Sequence, residues 1–115
     1  VAQGTLGQHA LHGLLQHVIG NGVDYAMLPP DTEGNVELCQ ITLAPGASSH
    51  ATPISHRGEE VAVVLKGTAR LEMEPAVYEL NEGDSVRIRS EVRHCWHNES
   101  SVNLIVLFAV SPPGF

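Results

Sequence analysis

The chain has 115 residues, 43% hydrophobic and 17% charged, which suits one globular domain with a buried core and excludes a disordered segment. Its formal net charge is −7 with only 6 Lys and Arg, so it lacks the basic face that nucleic-acid binding requires. No apolar run approaches the roughly 20 residues of a membrane-spanning helix, and no secretory leader is visible, so no membrane partner is expected.

Taken in order, residues 1–10 are Gly-rich and polar and read as a linker or frayed terminus. Residues 11–20 fit either a helix or a strand leading into Gly20-Asn21-Gly22, and the strand is preferred. We therefore divide the chain into an extension or linker, 1–22, and a single domain, 23–115. Val23–Leu28 reads as a strand stopped by Pro29-Pro30, because proline removes a ladder donor. Val36–Leu43 is a second strand, broken at Ala44-Pro45-Gly46 into a polar loop. Val61–Leu65 is apolar on both faces, which implies cover on both sides. Strands follow over Thr68–Met73, Val77–Leu80, Ser85–Arg89, His94–Asn98 and Val102–Val110, with a hairpin tip at Glu74-Pro75 and an extended tail from Ser111. Many short strands with turn signals between them predict an all-β sandwich or barrel. Cys39 and Cys95, without a leader, read as free buried thiols in a reducing, cytoplasmic setting.

Seven histidines are many for this length, but the chemistry concentrates in His56, Glu60 and His94. His56 and Glu60 are four residues apart in a β-branched run, so strand alternation puts them on one face. His94, Trp96 and Asn98 share a face of a second strand by the same rule. Two imidazoles and a carboxylate suit a divalent transition metal with open positions, without choosing among Fe, Mn, Ni and Zn. Without a metal, the three would hydrogen-bond to one another or to a ligand, since a buried carboxylate needs some partner. His97 alternates away from His94 and reads as a non-ligand, His50 as a solvated loop residue with the alternative that it moves in as a further ligand, and Cys95 as core.

The motifs H-R-G-E-E-V-A-V-V-L-K-G (His56–Gly67) and G-D-S-V-R-I-R-S-E-V-R-H-C-W-H-N (Gly83–Asn98) resemble the two conserved motifs of the cupin superfamily. His56, Glu60 and Gly67 fit the first at the family's spacing, and Gly83, His94 and Asn98 fit the second. The chain departs from the pattern at Ser48 for glycine, Ile54 for the first histidine, Arg89 for proline and Glu91 for glycine. The resemblance implies a double-stranded β-helix, the cupin jelly-roll barrel, holding three of the family's four metal ligands. The phrasing up to the terminal Ser111-Pro112-Pro113-Gly114-Phe115 is also similar to the cupin half of regulators that begin with an XRE-type helix-turn-helix.

The narrower resemblance implies a small-molecule effector sensor of a bacterial transcriptional regulator. DNA would then be contacted only through a helix-turn-helix not present in this chain, and the metal would be a divalent ion at His56, Glu60 and His94. Trp96, Arg87 and Asn98 are candidate effector-binding residues. Trp96 either stacks on the effector or fills the barrel, Arg87 with Arg89 meets an anion at the mouth or sits on a solvated face, and Asn98 orients nearby backbone. Val61, Val63 and Leu65 lie off the ligand face and predict a homodimer through that sheet. The alternative is a mononuclear metal enzyme, an epoxidase-like oxidase, dioxygenase or isomerase, for which a fosfomycin-forming epoxidase family is the precedent. The sensor, not an enzyme, is the preferred reading.

Overall fold

A computed structural model describes residues 16–27 and 34–112. These form nine strands: β1 Gln16–Gly20, β2 Val23–Met27, β3 Glu37–Leu43, β4 Glu59–Lys66, β5 Ala69–Met73, β6 Ala76–Leu80, β7 Ser85–Ile88, β8 His94–His97 and β9 Leu104–Ser111. No helix among the described residues is long and apolar enough to cross a membrane. A six-stranded sheet runs β1-β2-β3-β9-β4-β7, and a three-stranded sheet runs β6-β5-β8, with every pairing antiparallel. This is the all-β jelly roll that the motif resemblance implies.

Turn chemistry sets the hairpins. Asn21 and Gly22 both adopt positive φ, 53° and 77°, as a two-residue hairpin loop requires if its twist is to match its strands. The expected tip at Glu74-Pro75 joins β5 to β6. The preference for a strand within 11–20 is met by β1, whose five residues are all exposed. Residues 1–15, Leu28 and the last three residues of the terminal tail lie outside the described residues.

Alternation then builds the core. Cys39, Ile41 and Leu43 of β3 point inward beside Leu104, Val106, Phe108 and Val110 of β9. Ala62 and Val64 of β4 extend that surface, and Ala69, Leu71 and Trp96 close on it from the smaller sheet. Leu71 is fully buried, and removing such a side chain from water is worth about 1.5–3 kcal/mol. A register shift between Val64 and Lys66 ends the inward series on β4 and leaves Lys66 in solvent. The expectation of cover on both faces of Val61–Leu65 is met on one face only. Val61 and Leu65 are 45% and 46% exposed, because nothing among the described residues covers them.

The connection from β3 to β4 does not run free over the surface. Ser48 bridges His97, and Ile54 bridges His94, so the connection lies along the edge of β8. It re-enters β4 through Gly58 at φ 103°, where a Cβ would press on the Pro112 carbonyl. Gly46, at φ 82°, has open space around its missing Cβ. We expect Gly46→Ala to cost about 1 kcal/mol and Gly58→Ala about 3 kcal/mol in urea unfolding, the difference being the carbonyl clash. Equal costs would mean that the Gly58 contact does not constrain the entry to β4.

A candidate metal and ligand site inside the barrel

Glu60 is the second residue of β4 and faces inward at 3% exposure, flanked across the ladder by Ile88 and Val110. His94 opens β8 and is equally buried. His56 reaches the same point differently from the sequence expectation. It precedes β4, which begins at Glu59, so the bend at Arg57-Gly58 brings it to Glu60 rather than the pleat of one strand. Its carbonyl accepts a 2.9 Å hydrogen bond from the Glu91 amide, and the Gly58 amide donates to Ser90 Oγ. Glu91 stands where the motif has glycine and takes φ 71°, a conformation that most side chains avoid.

The two imidazoles are oriented alike. His56 Nδ1 lies 3.2 Å from the Arg57 carbonyl and His94 Nδ1 lies 2.9 Å from the Val92 carbonyl. A carbonyl only accepts, so each Nδ1–H donates and each Nε2 is left to face inward. His56 Nε2 is 3.3 Å and His94 Nε2 3.6 Å from Glu60 Oε1. The rings sit edge to face with centroids 5.0 Å apart. One donor atom from each of His56, Glu60 and His94 falls within 4.8 Å of the others. Glu60 Oε2 is buried without a hydrogen-bond partner, a costly state for a carboxylate oxygen. An orphaned carboxylate oxygen, converging donors and imidazoles anchored through Nδ1–H together fit a divalent ion.

These groups form one pole of a cavity of about 240 Å³, whose walls are Val18, Tyr25, Met27, Ile54, Trp96 and Phe108. His50 also lines it, contrary to the expectation of a solvated loop histidine. Burial, with the His94 and His56 imidazoles beside it, holds its pKa below the ordinary value. Burial likewise pushes the Tyr25 phenol up to about 12, with the Glu60 charge adding to it, so that hydroxyl keeps its proton. Tyr25 packs edge to face on Phe108.

Of the proposed effector contacts, Trp96 is 3% exposed and lines the cavity. Arg87 does not. It lies opposite Val61 in the β4–β7 ladder, on the outward face, and pairs with Glu59 in solvent. Its neighbour Ile88 takes the inward place, because adjacent strand residues face opposite ways. Asn98 is buried away from the cavity, where its amide donates to the Leu43 and Val102 carbonyls and its oxygen accepts from the Ser100 amide. It ties three chain segments together, as its backbone-orienting reading anticipates. His97 turns to Ser48 and Glu72. Cys95 is buried under the β3–β4 connection, and Cys39 is buried with its thiol pushed to about 12, first by desolvation; both are free. The cavity walls from β1, β2 and β9 carry no sequence signal, being ordinary strand residues.

The His94 pKa is raised above 6.5: burial opposes its protonation, but the hydrogen bond and charge of Glu60 and the Val92 carbonyl outweigh it. In chelator-treated protein this contributes stability that is fully present below the unfolded pKa and is lost as pH rises through the folded pKa. Urea melts between about pH 5 and pH 8 should show that loss, and His94→Gln should flatten it. An unchanged profile in the variant would mean that Glu60 does not hold the proton on His94. Metal affinity should move the other way, rising with pH as ion and proton compete for Nε2.

Residues 39–110 match the cupin domain family. No curated protein matches the chain. Among solved structures the chain is similar to an RmlC-like cupin from Shewanella frigidimarina, at 22% identity and TM-score 0.74 over 93% of each chain. It is also similar to the cupin domain of an XRE family transcriptional regulator from Enterobacter cloacae, at 26% identity and TM-score 0.70, covering 81% of this chain and 99% of that one. A polyketide cyclase from Streptomyces resistomycificus shares the fold at 16% identity and TM-score 0.73, over 87% of this chain and 75% of the cyclase. With nearly two thirds of its residues matched and the motif side chains gathered in one barrel, the chain belongs to the cupin domain family.

Proposed function

We propose that this chain is the effector-sensing cupin of a bacterial transcriptional regulator, with a divalent metal held by His56, Glu60 and His94. The observation that carries the reading is the lining of the cavity. Beyond the His56–Glu60–His94 pole, the described walls are mainly hydrocarbon, with the Met27 thioether, an indole, a phenol that stays protonated and the single imidazole of His50. Such a surface holds a small molecule by burial and orients it by a few polar contacts. The likeness to the cupin of an XRE family regulator, which the alignment covers almost entirely, supports the same reading. A bound metal would supply a Lewis-acidic anchor for one ligand atom, while Trp96 and Phe108 would take up the apolar body.

The partner is a second copy of the chain, through the outer face of β3, β9 and β4. Val61, Ala109 and Leu38 form one row across it, and Val63 and Leu107 continue the next. Glu60 faces the cavity and Val61 the outer face, so occupancy inside reaches the interface through one peptide. A ligand shifts the dimer only as far as it prefers one arrangement over the other.

The second reading, a mononuclear metal enzyme, is favoured by the unpartnered Glu60 Oε2 and the two inward Nε2 atoms. Metal analysis of unchelated protein addresses both. Near-stoichiometric metal in wild type, lost in His56→Ala and His94→Ala with folding retained, is the expected result. Absent metal sinks the metal assignment, and oxygen uptake or substrate turnover by the loaded protein overturns the sensor reading. For the dimer, sedimentation of Val61→Glu/Leu65→Glu should give a monomer from a wild-type dimer. A wild-type monomer, or an unaffected dimer, removes this face as the interface.

A further inference from the structure

Position 54, where the motif resemblance implies a histidine, is occupied by Ile54. Its backbone is locked to His94 by reciprocal hydrogen bonds of 3.0 and 2.8 Å, and its side chain joins the cavity wall. The site thus has hydrocarbon where a further donor would stand. Four residues earlier on the same connection, His50 lines the cavity.

His50 is not there by loop wandering. The Ser49 amide donates to the Trp96 carbonyl at 2.8 Å, and Ser49 Oγ accepts from the Trp96 amide at 2.9 Å. The His50 carbonyl accepts from the Cys95 thiol, and His50 Nδ1 lies 3.1 Å from Ser49 Oγ. These contacts fasten the residue to β8 on both sides of its Cα. The ring is nonetheless outside the compact donor set formed by His56, Glu60 and His94. It shares the cavity with the metal donors without joining them.

We propose that His50 is a ligand-recognition residue that hydrogen-bonds a second polar group on a molecule anchored at the His56–Glu60–His94 centre; this rests on the metal reading above. The ligand class follows from the walls. A cavity of about 240 Å³ takes a small molecule with an apolar body, one metal-binding oxygen or nitrogen, and one further hydrogen-bonding group. No Lys or Arg is among the described lining residues, so phosphate esters find no cationic partner beyond the ion itself.

The test uses Co2+ and azide, a three-atom anion that binds a metal at one end and offers nitrogen at the other. Co2+ affinity is read by titration and azide affinity from the visible spectrum of the loaded protein, in wild type, His50→Ala, His50→Gln and His56→Ala. The expected result is Co2+ affinity within about twofold of wild type in both His50 variants. Azide Kd should rise about tenfold in His50→Ala and much less in His50→Gln, which keeps an N–H donor. Unchanged azide binding in His50→Ala, with Co2+ still lost in His56→Ala, overturns the inference and leaves the metal reading standing. A large loss of Co2+ affinity in His50→Ala overturns it too, making His50 a metal ligand. No Co2+ uptake by wild type defeats the inference together with the metal reading.

Discussion

A carboxylate taken out of water must be neutralised, paired or bound to a cation, and the barrel interior is arranged around that demand at Glu60. Its neighbours across the ladder are Ile88 and Val110, which offer nothing polar. The compensation comes instead from His56 and His94, brought in from a bend and from the first residue of β8 in the other sheet. Both imidazoles are held from behind by backbone carbonyls, His94 at the more buried of the two. One Glu60 oxygen remains unmatched, and that imbalance marks the point where a cation could fit.

The rest of the fold can be understood as support for this point. Gly58 adopts a backbone conformation closed to other residues without clash, and thereby returns the chain to β4 just after His56. The turn before β8 holds the His56 carbonyl through the Glu91 amide, even though a glutamate occupies the position where glycine is easiest. Asn98 binds the end of β8 to the carbonyl of Leu43 and to the loop before β9, fixing the far end of the strand that begins at His94. Each of these devices lies within a few residues of a site side chain, so backbone accuracy is concentrated where donor positions matter.

Strand β4 joins the interior to the outside. Its alternation gives Glu60, Ala62 and Val64 to the core and Val61 to the surface, and the irregularity after Val64 adds Leu65 to the exposed set. Arg87 belongs to the same outward set, paired with Glu59 rather than with a ligand. Of its two readings, barrel mouth or solvated face, the second holds by phase: with Ile88 committed to the core, the residue beside it must face away. The direction of the histidine at position 50 cannot be read in that way. A polar loop has no period from which direction can be read, and only its bonds to β8 turn the ring inward.

The amino-acid sequence by itself determined the strands, the turns between them and the identity of the metal-type donors. All three depend on short-range facts: two-residue alternation, glycine and asparagine at positive φ, and motif spacings of a few residues. The tertiary structure alone decided that Val18, Tyr25, Met27 and Phe108 wall the cavity, that His56 arrives through a bend, and that His50 lines the cavity with them. Those outcomes depend on which strands become neighbours. Phe108 meets Cys39 across one ladder and Ala62 across the other, partners separated by tens of residues in the chain. Alternation says that a side chain has two faces to choose from, and only the closure of the two sheets on one another selects which face is inside.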